Sequence, residues 1–384
     1  MRRAVALLLA LALAAGPAAA APAETRLPAQ VKRHTGTGAL AARLAWALGE
    51  ASKASPGRAF SVGWSFRRLM AGNEMIGSYR DGPGGREITV EEVLAGKRSL
   101  GQGSGGEAGE VRVTARKVLD DIEHRGRPAP KVQKDVGLFL TYEPGRPATL
   151  AEAELSNLDL SFDFRGRDLY WLGGAEVAES FGLVTALCGA AGADKARHGL
   201  IAAAGLHGDA RLAVPFLEKV LAGDGSDGIR KDAAFWIGQQ DDAAGLKVLV
   251  RAAESDRSKE VREGAVFAAS QVELPEAVDA LIGLARTAPH PDARKQAVFW
   301  LGQMASKKAA PALEDFARSG PDAELQEQAV FALSQLPDDQ GLEPLIKLAK
   351  SHPDPRVRKK AVFWLGESRD PRALEALIAI VKGK

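Results

Sequence analysis

The sequence predicts a mainly α-helical protein, in which a C-terminal α-solenoid of stacked helix pairs follows a small β-rich or α+β domain. Three observations predict this fold class. A seven-residue string recurs every 32 residues in the second half of the chain. An amphipathic run follows each copy, and alternating β-rich pieces between Gly- and Pro-rich turns occupy much of residues 21–172. We expect a signal peptide at 1–20, the β-containing domain at 21–172 and the solenoid at 173–384.

The first twenty residues have the pattern of a cleaved Sec-type secretory signal. Arg2 and Arg3 precede an apolar run from Ala4 to Ala15, and Ala18 to Ala20 supply small residues for cleavage near Ala20. The run is too short to span a membrane, and no later stretch reaches about 18 uninterrupted apolar residues. We therefore expect a periplasmic or secreted protein with no membrane span.

Composition and charge exclude several classes of protein. The chain is 46% hydrophobic and 26% charged, which argues against wholesale disorder. Loss of Arg2 and Arg3 with the signal takes the formal net charge from +2 to zero, so the basic excess of a nucleic-acid binder is absent. Cys188 is the one cysteine, so no intramolecular disulfide can form, and its place in a small-residue helix favours a buried thiol.

The N-terminal half begins with a predicted helix from Gly38 and continues with predicted strands. Gly- and Pro-rich turns separate these pieces, which predicts a sheet-containing domain that caps the helical region. The segment Arg167–Gly174 is expected to be the last strand before the helices. The other predicted strands are Phe60–Phe66, Glu110–Val118, Asp135–Glu143 and Leu158–Phe164.

The C-terminal half is built from the repeated string. Its copies are AAFWIGQ, AVFAASQ, AVFWLGQ, AVFALSQ and AVFWLGE, which start at Ala233, Ala265, Ala297, Ala329 and Ala361. A more divergent copy starts at Leu200. Apolar residues in the runs that follow recur at i, i+3, i+4 and i+7, so each repeat is predicted to be an antiparallel helix pair. A lone pair cannot bury its apolar face, whereas stacked pairs can.

The string resembles the HEAT family, in the bacterial form found in phycobilisome-lyase-type repeats. The matching pattern is VRxxAxxxLG, which runs from Val357 and Arg358 through Ala361 to Leu365 and Gly366. The resemblance covers roughly residues 190–384 and implies protein–protein scaffolding. It also implies that the arginine three residues before the string bridges neighbouring turns through Asp or carbonyl groups. That arginine occurs at Arg197, Arg230, Arg262, Arg294 and Arg358, and Gln326 replaces it in one repeat.

A helical wheel suggests what the aromatic residues of the string do. With Ala297 at 0°, Val298 and Leu301 face the partner helix, Gln296 and Gln303 face water, and the aromatics at about 200° and 300° lie on the two flanks. The flanks meet neighbouring repeats, so packing between repeats is the first reading. A groove for an extended peptide is the second. The predicted partner-binding residues are Phe235, Trp236, Gln239, Gln271, Gln296, Phe299, Trp300, Gln303, Gln335, Phe363, Trp364 and Glu367.

A second period of 64 residues favours packing. The tryptophan site alternates Trp and Ala, the site two residues later alternates Gly and Ser, and the site two residues before the string alternates Lys and Glu. Large residues against small ones are what interdigitating neighbours need. Lys and Glu at the last of these sites are expected to pair between neighbours, with only about 0–1 kcal/mol per exposed pair.

Catalytic motifs are poor, so no residue is predicted to be catalytic, metal-binding or cofactor-binding. Gly101, Gly103 and Gly106 spell GxGxxG without the flanking strand and helix of a nucleotide site. His198 and His207 lack the i, i+4 spacing of a helical metal pair, and the His-Glu dipeptides of the deoxyhypusine hydroxylases, an enzymatic HEAT-like group, do not occur.

The sequence therefore predicts a non-enzymatic scaffold or regulator of the cell envelope that binds another protein or an extended peptide. The alternative is an enzyme, or a lyase-like enzyme accessory, with its site in the N-terminal half. Leu377, Ile378 and Ile380 near the end of the sequence leave weak self-association through the C-terminal helix open.

Overall fold

The computed structural model describes residues 26–54, 56–72, 74–77, 88–97, 130–145, 147–304, 308–336 and 340–382. The chain divides into two compact bodies, Met1–Gly208 and Asp209–Lys384. The expected signal at 1–20, the GxGxxG glycines and the predicted strand Glu110–Val118 lie outside the described residues. Within those residues, no helix combines the length and apolarity that a membrane crossing requires.

The N-terminal body is built on a mixed five-stranded sheet with the strand order β1-β5-β2-β3-β4. Strand β5 pairs in parallel with β1 and β2, and the β2, β3 and β4 pairings are antiparallel. The strands are β1 (Val31–Arg33), β2 (Phe60–Ala71), β3 (Lys131–Glu143), β4 (Thr149–Asn157) and β5 (Asp168–Ala175). The helices are α1 (Leu40–Ala54), α2 (Val90–Leu94), α3 (Val177–Ala190) and α4 (Asp194–Leu206).

The core of this body is aromatic. Trp64, Phe66, Tyr170 and Phe164 are among the largest fully buried side chains. Strand β2 is buried along its first seven residues because helices pack on the sheet and strands flank it on both sides. This arrangement confirms the predicted sheet-containing domain.

One predicted strand is wrong, and one strand is missing from the prediction. Leu158–Phe164 leaves the sheet through a turn, in which the amide of Leu160 donates to the carbonyl of Asn157. Its alternation instead sends Leu158 and Phe164 into the core beside α2. The strand is β4, whose sequence TLAEAELSN is rich in Ala and Glu, residues of low β-propensity.

The predicted domain boundary at residue 172 falls within β5. Helices α3 and α4, and with them the divergent repeat copy at Leu200, belong to the N-terminal body. Helix α4 packs against β4 so closely that a Cβ on Gly199 would lie 1.9 Å from the carbonyl oxygen of Ala153. Only glycine tolerates that approach.

The C-terminal body consists of α5 and five stacked helix pairs within the described residues. Each pair has a string helix, which carries the repeated string, and a second helix. The string helices are α6 (Asp227–Gly238), α8 (Lys259–Gln271), α10 (Pro291–Gly302), α12 (Ala323–Ser334) and α14 (Pro355–Glu367). The others are α5 (Ala210–Gly223), α7 (Ala243–Ser255), α9 (Glu276–Thr287), α11 (Ala309–Ser319), α13 (Leu342–Ser351) and α15 (Pro371–Val381).

Local sequence explains where these helices begin and how they pack. Asp242, Asp322 and Asp354 cap helices through their side chains, and Pro291 and Pro355 occupy first-turn positions. The first residue of every string copy is completely buried: Ala233, Ala265, Ala297, Ala329 and Ala361 each have 0% exposure. The predicted α-solenoid of helix pairs is confirmed.

Candidate interaction surface

The string helix α10 presents its residues as the wheel predicts. Ala297, Val298 and Leu301 are fully buried against the stack, while Gln303 is exposed. Gln296 is half-buried. Phe299 and Trp300 are also half-buried, so the aromatics belong both to the packing and to the surface.

The aromatic side chains of the string helices form one continuous ladder. Within a repeat, Phe and Trp meet edge to face, as Phe299 and Trp300 do with ring centroids 5.1 Å apart. Between repeats, Phe267 contacts Trp300 at 4.9 Å and Phe299 stacks on Phe331 at 6.3 Å. The aromatic ladder comprises Phe235, Trp236, Phe267, Phe299, Trp300, Phe331, Phe363 and Trp364.

Carboxamides accompany the ladder. Gln239 and Gln271 are half-buried, and Gln335 and Glu367 are exposed like Gln303. The side-chain amides of Gln271 and Gln335 donate to the hydroxyls of Ser270 and Ser334 at 3.0 Å, which fixes their orientation. The Gln strip, namely Gln239, Gln271, Gln296, Gln303 and Gln335, therefore borders the rings with groups that can both donate and accept hydrogen bonds.

The 64-residue period corresponds to two kinds of repeat. Trp-type repeats have Trp, Gly and Lys at the three alternating sites and comprise α6–α7, α10–α11 and α14–α15. Ala-type repeats have Ala, Ser and Glu there and comprise α8–α9 and α12–α13. A Cβ on Gly302 would lie 2.7 Å from the carbonyl oxygen of Ala332, and one on Gly238 would lie 2.5 Å from that of Ala268. The alternation thus lets a Trp-type helix approach the next Ala-type helix at backbone distance.

Buried arginines clamp successive repeats. Arg230 is 1% exposed and forms a two-pronged contact with Asp256 of the next repeat, with nitrogen–oxygen distances of 3.0 and 2.9 Å. Arg262 contacts Asp292 in the same way, at 2.8 and 3.1 Å. Arg262 also donates to the Asp256 carbonyl at 2.8 Å. These contacts match the role that the family resemblance implies.

The clamp becomes looser toward the C-terminal end of the stack. Arg294 reaches Asp322 only at 3.8 Å and donates mainly to nearby carbonyls. Gln326 donates to the carbonyl of Gly320, and Asp354 of the next repeat pairs with Arg356 on its own helix instead. Arg197, in the N-terminal body, contacts Asp194 of its own helix.

The expected pairing of alternating Lys and Glu sites needs a correction. Lys295 pairs with Glu324, one helical turn before the alternating site at Glu327. Lys259 pairs with Glu263 of the same helix. The offset between neighbouring string helices places the lysine opposite the first turn of the next helix.

The N-terminal body contains two polar clusters that the sequence did not indicate. In the first, Arg165 holds both oxygens of Glu152 at 3.0 and 3.3 Å, and Lys195 contacts the same carboxylate at 2.5 Å. Burial acts to raise the pKa of Glu152, but the hydrogen bonds from Lys195 and Arg165 outweigh it and lower that pKa. Burial and the charge of Glu152 raise the pKa of Glu154. Arg165 has a φ of 54°, an unusual conformation that places its side chain over the strand.

The second cluster joins Trp64, Ser180 and His207 in the core. The Trp64 indole donates to the Ser180 hydroxyl at 2.8 Å, and that hydroxyl lies 2.8 Å from Nε2 of His207. Nδ1 of His207 lies 2.5 Å from the carbonyl oxygen of Ala203 and must carry the proton there, since a carbonyl only accepts. Phe66 stacks on the imidazole at 4.0 Å, and Ser180 is 0% exposed. This cluster links α3 and α4 to the sheet.

Chemistry-bearing features elsewhere are few in the described ranges. A cavity of about 500 Å³ is lined by Leu27, Val31 and Val93, with Arg33 and Lys97 as its cations. No group of three or more His, Cys, Asp or Glu residues has metal-binding geometry in the part of the chain that the structure describes. Cys188 is buried, and burial raises the pKa of its thiol.

Comparisons with known proteins agree with this architecture. The family model of HEAT repeats matches residues 214–302 and 310–384, and that of the PBS lyase HEAT-like repeat matches residues 293–319. A search of the curated proteins finds no match.

Three similar solved structures illustrate the range of proteins with this fold. Human deoxyhypusine hydroxylase in complex with glycerol is 23% identical over 53% of this chain and 83% of its own, with a TM-score of 0.24. The complex of CpcE and CpcF of phycocyanin lyase from Nostoc sp. PCC7120 is 22% identical over 40% of this chain and 97% of that one, with a TM-score of 0.30. The S. pombe condensin Cnd3–Cnd2 subcomplex is 18% identical over 54% and 31%, with a TM-score of 0.32. Residues 214–302 and 310–384 of this chain are HEAT repeats that stack into an α-solenoid.

Proposed function

We propose that this protein is an exported, non-enzymatic scaffold that binds an extended protein segment along the aromatic ladder and the Gln strip. The carrying observation is the ladder itself. Its eight rings are fixed by contacts with one another, yet they remain partly accessible. Rings that are already immobilised lose little side-chain entropy on binding, which makes such a surface an efficient binding face.

The polar groups beside the rings suit a polypeptide backbone. Gln303 and Gln335 are exposed, and a carboxamide can pair with both the N–H and the C=O of a bound strand. Aromatic side chains are also the common hot-spot type of protein interfaces. We propose an extended peptide segment of neutral character as the ligand of this face.

Site-specific photo-crosslinking in the native cell tests the proposed face. A benzoylphenylalanine at Gln303 should give adducts with a partner protein, and the same probe at Lys347, exposed on the second helix α13, is the matched control. Adducts from Gln303 that disappear in a Phe299→Ala background would support the proposal. Equal adducts from both positions, or none from Gln303, would contradict it.

The export proposal rests on the N-terminal pattern of Arg2, Arg3 and the apolar run. Its test is the mass of the mature N-terminus after fractionation of the native cell. A chain that begins near Ala21 in the periplasm or medium would support it, whereas an uncleaved chain in the cytoplasm would refute it.

A further inference from the structure

The far side of the last described repeat, α14–α15, has the features of a stacking surface whose partner is a further repeat. This is a Trp-type repeat, and each earlier Trp-type repeat is followed by an Ala-type one that covers it. The positions that make those two junctions can be compared one by one with their equivalents in α14–α15.

The backbone contact is the first of them. Gly238 and Gly302 lie against Ala268 and Ala332, so that a Cβ at either glycine would clash. At the equivalent Gly366, no described heavy atom comes within 4 Å of a Cβ position. A site shaped for close helix approach is therefore open.

The aromatic and apolar contacts show the same difference. Phe235 and Phe299 each stack on a phenylalanine of the following repeat, whereas Phe363 is 53% exposed. On α15, Leu374 is 62% exposed and Val381 is 87% exposed. Their equivalents are covered: Leu342 and Ala349 in α13 and Val278 and Ala285 in α9 are all buried.

The charged contacts specify what is missing. Lys295 pairs with Glu324, and Arg294 reaches Asp322, both in the following repeat. The equivalent Lys359 has no ion pair within the described residues, and Arg358 donates only to the carbonyls of His352 and Pro353. The complementary partner therefore carries carboxylates at both places.

We propose that this face binds an Ala-type helical repeat carried by another polypeptide. That repeat would set a small residue on Gly366, a phenylalanine on Phe363, carboxylates beside Arg358 and Lys359, and an apolar second helix on α15. A second copy of the same face is a poor occupant, since α14 and α15 together carry five cations against two carboxylates. Two such faces would repel each other.

The test uses the full-length protein and a fluorescent 32-residue hairpin with the sequence of residues 321–352, the chain's own Ala-type repeat. The control hairpin carries Ala332→Trp, which keeps the charge but removes the small residue. We expect binding by fluorescence anisotropy, a loss of at least about tenfold with the control hairpin, and a similar loss with a Gly366→Leu chain. Lys359→Glu should weaken binding, and Glu324→Lys in the hairpin should restore it.

A second arm keeps the result decisive if the free hairpin does not fold. The same hairpin is joined to the end of the chain, where it should raise the urea midpoint of the last repeat, and the Ala332→Trp version should not. The proposal is overturned if both appended hairpins act alike, or if the charge exchange restores nothing. Dimers of the unmodified chain that are lost with Leu374→Asp would also overturn it, because a second copy would then be the occupant.

Discussion

Trp300→Ala tests whether the aromatic ladder holds neighbouring repeats together. The ring contacts Phe267 of the preceding repeat at 4.9 Å and Phe299 of its own helix at 5.1 Å. Full burial would make this substitution cost about 3–5 kcal/mol. Because the ring is only half-buried, we expect a loss of about 2–3 kcal/mol in the free energy of unfolding.

Phe363→Ala is the matched control, since Phe363 is 53% exposed and its one ring contact is with Trp364 at 5.0 Å. Its expected loss is about 1 kcal/mol. Urea denaturation followed by circular dichroism at 222 nm measures both variants without relying on tryptophan emission. Equal shifts for the two variants, or a shift below about 0.5 kcal/mol for Trp300→Ala, would refute the packing role.

Three further predictions concern the clamps and the core. Arg262→Ala should lower the free energy of unfolding by about 3 kcal/mol, because it leaves a largely buried carboxylate unpaired; Arg294→Ala, whose ion pair is 3.8 Å long, should cost about 1 kcal/mol or less. Gln326→Arg gives Asp354 a guanidinium partner across the repeat junction and should slow hydrogen exchange in α14; unchanged exchange would count against the clamp. Burial lowers the pKa of His207 from 6.5 to about 4, so its stabilising effect is complete above pH 6.5 and is lost as the pH falls toward 4. The loss is about 3 kcal/mol and should be absent in His207→Gln when both chains are titrated by thermal unfolding.

Sequence periodicity was enough to predict the repeat region, because each string helix buries the same face. Ala297, Val298 and Leu301 follow from the 3.6-residue period alone. The ring ladder did not follow, since Phe267 meets Trp300 only through the offset between neighbouring helices. For the same reason the sequence did not predict that Lys295 pairs with Glu324.

The N-terminal body was harder to predict because its strands are stabilised by tertiary contacts. Strand β4 contains residues of low β-propensity, yet pairing with β3 and the close approach of Gly199 on α4 hold it in the sheet. Leu158–Phe164 has the alternation of a strand but packs on the core without pairing. The clusters around Glu152 and His207 bring together residues that are distant in sequence, which no local pattern reveals.

The declining series of arginine clamps implies a gradient of mechanical stiffness along the stack. Two buried, two-pronged contacts join α6, α8 and α10, one longer contact joins α10 to α12, and an amide stands where the next guanidinium would be. Under tension or bending, the junction between α12 and α14 should yield first. The solenoid is thus a spring with one rigid end and one compliant end, and a large partner can be accommodated by adjusting the curvature of the compliant end.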